Sequence, residues 1–112
     1  MTRPLLADLR GPLEVLSLFA IEYPHLSAPC VNITTIYPDR LELAFRDNAI
    51  GFEGWCAALD ISPELVHHSV HDGHRTAVRK VELDYAGACL RLISYAPLTP
   101  PNQGRSRAEA AS

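Results

Sequence analysis

His67, His68, His71 and His74 fall within eight residues, on either side of Asp72-Gly73. Imidazoles so close together offer two kinds of chemistry, metal ligation and proton exchange near neutral pH. A metal site needs deprotonated N, S or O donors converging about 2.0–2.3 Å from one point. Asp-Gly is a strong hairpin signal. With strands on both sides of that turn, His71 and His74 face each other and Asp72 lies at the tip. His67 then shares the face of His71 but sits four residues back, roughly 13 Å along the strand. If residues 63–71 are helical instead, His67 and His71 form an i, i+4 pair on one face. The metal candidates are therefore His71, His74, Asp72 and His67, and they are weak ones. No H-E-x-x-H motif and no cysteine partner accompanies them. Two imidazoles and a carboxylate are too few for a structural site. The expectation is a solvated histidine hairpin, with no metal and no cofactor.

Other patterns with chemistry are missing from the chain. It contains no G-x-S-x-G, no G-K-[ST] and no Gly-rich phosphate loop. No catalytic or cofactor-binding residue is assigned, and an enzyme would have to assemble its site from distant positions. Cys30, Cys56 and Cys89 are far apart and odd in number. That pattern points to free thiols in a reducing, cytoplasmic setting. Asn32-Ile33-Thr34 matches a glycosylation acceptor but has no secretion signal beside it. The formal charge is −3 over 112 residues, and no basic stripe marks a nucleic-acid binder. The apolar stretch from Leu13 to Ile21 is interrupted by Glu14 and Ser17 and is too short for a membrane span. Neither nucleic acid nor membrane is an expected partner. An unidentified protein, or a second copy of the chain, is.

The elements that must carry these residues follow from hydrophobic period. Residues 1–11 are expected to be a lead-in. From Pro12 to Tyr23, Leu13, Leu16, Phe19 and Tyr23 recur at helical spacing, and Pro24 stops the run. After Pro29 the period becomes two: Val31, Ile33, Thr35 and Tyr37 share a face. Tyr37-Pro38-Asp39-Arg40 is a turn with Pro at its second position. Proline cannot supply the geometry of the tightest hairpin, so a longer loop is expected there. Leu41, Leu43 and Phe45 then alternate with Arg40, Glu42, Ala44 and Arg46. Asp47 or Asn48 caps a second helix whose buried face is Phe52, Trp55, Cys56 and Leu59. Gly51 and Gly54 are expected to let that helix approach a sheet. Residues 62–71 are ambiguous between strand and helix; the favoured reading is a brief turn at 62–65 and a strand to His71. A long strand from His74 to Tyr85 and a last one from Cys89 to Ala96 complete the set.

Three stretches, Thr35-Ile36-Tyr37-Pro38-Asp39-Arg40-Leu41-Glu42-Leu43, Gly51-Phe52-Glu53-Gly54-Trp55 and Asp84-Tyr85-Ala86-Gly87-Ala88, resemble short proteins of high-GC actinobacteria that accompany plasmid, phage or integrative-element genes. The resemblance covers about residues 12–96. It implies a genetic context but carries no activity and no catalytic residue.

The expected architecture is a single α+β domain over residues 12–97, in the order α-β-β-α-β-β-β. It has a five-stranded, mostly antiparallel sheet with two helices on one face, and residues 98–112 are a disordered tail. The expected core is Leu16, Phe19, Val31, Ile33, Leu41, Leu43, Phe45, Phe52, Trp55, Leu59, Val81, Leu83, Leu90 and Leu92. The other sheet face is expected to carry Thr34, Glu42, Arg46, Lys80, Glu82 and Arg91, a mixed-charge surface. The functional expectation is a non-enzymatic accessory or regulatory protein acting by protein binding or self-association. A small-ligand or metal module at the histidine hairpin and a compact enzyme are the alternatives.

Overall fold

A computed structural model describes residues 3–71, 73 and 75–98. His74, Asp72 and the expected tail after Leu98 lie outside the described residues.

Helix α1 spans Arg10–Glu22 and follows directly on a 3₁₀ turn at Leu6–Leu9. It starts before Pro12, where sequence placed its first residue. Pro12 is third in the helix, where an N–H would have no intrahelical acceptor, so the ring costs nothing there. The buried stripe is Pro12, Val15 and Phe19, flanked by Leu16 and Tyr23. Leu13, expected in that stripe, is 42% exposed. The helix is rotated by one residue because Val15 rather than Leu13 meets the sheet.

Strand β1 is only Cys30–Asn32, and β2 is Arg40–Arg46. The alternation through Tyr37 does not become strand. The Tyr37 amide donates to Thr34 Oγ1 at 3.3 Å, and the Arg40 amide donates to the Tyr37 carbonyl at 3.0 Å. Two successive local turns thus take up the backbone that a longer strand would need. Thr34 is consequently in a loop, not on a sheet face. Val31, expected in the core, is 39% exposed, because β1 is an outer strand of the sheet.

Helix α2 covers Ala49–Ala58. Of its two possible caps, Asn48 is used: its Oδ1 accepts from the Gly51 amide at 3.0 Å. Gly51 serves that cap rather than the sheet, since a Cβ there would stand 2.8 Å from Asn48 Cγ. Gly54 faces the loop at Leu26, not the sheet. The helix ends with the Asp60 amide donating to the Ala57 carbonyl and the Ile61 amide to the Cys56 carbonyl. This is the Schellman arrangement, with Ile61 buried at its foot.

A 3₁₀ turn at Pro63–Leu65 leads into β3, His67–His71, so the ambiguous segment is strand. Strands β4 (Thr76–Tyr85) and β5 (Ala88–Pro97) follow, joined by a tight turn with positive φ at Ala86 and Gly87. The sheet order is β1-β2-β5-β4-β3. All neighbours are antiparallel except β2 and β5, which run parallel. The β3-β4-β5 meander returns toward β2 and inserts its last strand beside it.

Both helices cover one sheet face. The facing rows are Leu41, Leu90 and Leu83, then Leu43, Leu92 and Val81. Phe19 meets the Trp55 ring edge-on at 5.3 Å, and Phe52 meets Phe45 edge-on at 6.0 Å. The Trp55 indole N–H donates to the Ser27 carbonyl at 2.8 Å, so the core's largest side chain leaves no buried donor unmet. Among the described residues no helix is long and apolar enough to cross a membrane.

Candidate functional site: the uncovered sheet face and the β3 edge

Alternation sends every second strand residue to the side that carries no helix. Strand register arranges those residues in rows. Asn32, Glu42, Arg91 and Glu82 make one row across β1, β2, β5 and β4. Asn32 Nδ2 donates to Glu42 at 3.2 Å. Arg91 Nε lies 3.2 Å from Glu42 and 3.7 Å from Glu82, and Arg40 reaches Glu82 at 3.9 Å. Arg91 Nε makes no hydrogen bond among the described residues. The row is therefore held by alternating charge, and its two carboxylates are already neutralised from within the sheet.

The next rows differ in character. Ala44, Ile93, Lys80 and His67 stand side by side, followed by Arg46, Tyr95, Val78 and Ser69. Ala44, Val78 and Ile93 are buried although no helix covers them, and Tyr95 packs against them. The Arg46 guanidinium lies over the Tyr95 ring at 4.5 Å. Val78, Ile93 and Tyr95 of this strip form the floor of a cleft of about 570 Å³, with Arg91, Glu82, Lys80, His67 and His71 on its rim. Sequence predicted the charged rim at Glu42, Arg46, Lys80, Glu82 and Arg91 but missed the strip. The available signal was in Leu92-Ile93-Ser94-Tyr95, where apolar residues occupy both parities of one strand.

The histidines divide between the two faces. His67 and His71 point to the uncovered side, opposite Lys80 and Thr76 respectively, and lie two rows apart. Ser69 Oγ lies 3.2 Å from His71 Nε2. Their separation along the strand keeps His67 and His71 from one coordination sphere, and among the described residues no three His, Cys, Asp or Glu side chains are grouped to hold a metal ion. His74 and Asp72, the remaining candidates, lie outside the described residues. His68 points to the helix side. There it lines an apolar pocket of about 320 Å³ with Phe52, Cys56, Ile61, Val66 and Arg79. Arg79 is tied to Glu53 at 3.1 Å and lies over the Phe52 ring. Burial pushes the Cys56 thiol above its usual range, which makes it a poor nucleophile.

Strand β3 itself is the second part of the site. All five of its residues are exposed, and it pairs with β4 alone among the described strands. Along its other edge, alternate backbone N–H and C=O groups point away from the sheet. Proteins usually blunt such edges with lysine, proline or a bulge, and His67-His68-Ser69-Val70-His71 contains none of these. The opposite edge, β1, is three residues long and directly follows Pro29.

Compared with known protein families, with curated proteins and with solved structures, the chain matches none.

Proposed function

We propose that this is a non-enzymatic accessory or regulatory protein, cytoplasmic, that acts by binding another polypeptide through the β3 edge and the uncovered face beside it. One observation carries the reading: an unblunted edge strand with every residue exposed adjoins an apolar strip ringed by charge. Strand addition supplies main-chain hydrogen bonds, and the neighbouring side-chain rows supply selectivity. An apolar centre with a polar rim, including Tyr and Arg, is the usual anatomy of a protein interface. The resemblance to short actinobacterial proteins of mobile elements agrees with an accessory role.

The test uses the tagged full chain as bait beside two variants, Val70→Lys at the edge and Tyr95→Ala on the face. Both positions lie outside the main helix-covered core, so both variants are expected to keep the fold, checked by circular dichroism. The expected result is a bound polypeptide, the parent chain or another, that both variants lose. Binding that persists undiminished in both would sink the proposal. A second reading, a small ligand in the cleft, is favoured by its volume, which falls in the usual range for such sites. Thermal shift against a compound collection, repeated with Tyr95→Ala, separates it from the first.

A further inference from the structure

We infer that the occupant of the β3 edge is a second copy of this chain, paired antiparallel about a two-fold axis through Ser69. The inference rests on reading β3 as the binding edge and adds the identity of the partner. An interface of this symmetry must be self-complementary, because residue i meets j while j meets i. Strand β3 has five residues, His67–His71. Centring the axis on Ser69 pairs all of them; moving it by one residue leaves an end unpaired. On the uncovered face the side chains read His67, Ser69, His71, the same in both directions. No Asp, Glu, Lys or Arg lies in β3, so no carboxylate, ammonium or guanidinium meets its like across the pairing. The row through the new pairing runs Lys80, His67, the partner's His71 and the partner's Thr76, given the register of β3 on β4. The two copies' lysines therefore fall in different rows.

The helix side of the same pairing carries the apolar complement. His68 meets the partner's Val70, which then lies diagonally across from Val66. Val66 and His68 line the apolar pocket between α2 and β3. Val70 is 47% exposed in the single chain. In the pair, the partner's Val70 stands over the pocket mouth and loses water, and the symmetry repeats the contact. Each copy thus supplies an apolar side chain that the other copy's pocket lacks.

Cross-linking tests the register. Directly opposed residues on antiparallel strands have Cβ atoms about 4.5–5.5 Å apart, near enough for a disulfide after a small adjustment. In a full-length Cys30→Ser background, Ser69→Cys should give a disulfide-linked dimer under mild oxidation, and Thr35→Cys, an exposed loop control, should not. Sedimentation of the parent at tens of micromolar should give twice the chain mass, and Val70→Lys should weaken association by at least about tenfold with its circular dichroism unchanged. A parent of single-chain mass whose Ser69→Cys form cross-links no better than the control overturns the inference. So does a dimer that survives Val70→Lys and fails to cross-link at Ser69, since it uses another surface. A monomeric parent that binds a different polypeptide and loses it on Val70→Lys overturns the inference while leaving the proposed function standing. A monomeric parent that binds nothing through this edge removes both.

Discussion

The three thiols show how local surroundings set reactivity that composition leaves equal. Cys30 is exposed on β1, whereas Cys56 and Cys89 are partly covered. Burial pushes both covered thiols above their usual range, Cys56 on α2 and Cys89 on β5, with Glu82 adding to the effect at Cys89. A raised pKa means less thiolate at any given pH, and thiolate is the reacting form. Alkylation by iodoacetamide at neutral pH should therefore label Cys30 first. Labelling of Cys56 and Cys89 should accelerate as pH rises. Peptide mass spectrometry reads the order, and equal early labelling of all three would contradict it. The reading of Cys56 as inert was available from its place on an apolar helix face. The difference between Cys30 and Cys89 was not, because both lie in alternating segments and only pairing shows which strand is outermost.

Elements repeat the lesson at the end of α2. Leu59-Asp60-Ile61 carries no glycine to flag a helix stop, yet Asp60 takes a φ of +56° and the chain closes a Schellman cap around it. A non-glycine residue in that region costs of the order of 1 kcal/mol. The carboxylate also sits at the helix C-terminus, where negative charge opposes the dipole. Asp60→Gly should therefore stabilise the domain by about 0.5–1 kcal/mol, despite the greater freedom of glycine in the unfolded chain. Urea unfolding measures the change, and a lower midpoint would contradict this account. The start of α2 was legible, since Asn48 is a good capping type. Its glycines were misread, because a sequence shows that a side chain is missing but not which neighbour needs the space.

For the whole molecule, strand order decides which backbone is protected. β5 is flanked on both sides, by β2 and by β4, while β3 lies at the margin with every residue exposed. Local openings draw on the regions with the fewest buried contacts. Hydrogen exchange of dilute protein should be slowest in β5 and in the Leu41–Phe45 stretch of β2, and fast in the two marginal strands, β1 and β3. Protection of β3 should then rise with protein concentration as copies associate, while β5 changes little. Exchange in β3 as slow as in β5 at high dilution would contradict the assigned order.

Period and turn chemistry are local, and for that reason the chain itself determined the element types, the α-β-β-α-β-β-β order and most of the helix-covered core. Leu41, Leu43 and Phe45 alternate, Phe52 and Trp55 share a helix face, and Pro38 marks its turn, all within a few residues. Tertiary structure alone decided that β5 enters between β2 and β4. That insertion lines up Glu42, Arg91 and Glu82, and it gathers Ala44, Ile93 and Val78 into one buried strip. These residues are distant in sequence, and no local pattern encodes which strand becomes a neighbour; burial of the whole sheet selects it. The same holds for the histidines. Their alternation in β3 was visible, but that β3 is an open margin follows only from where the other four strands lie.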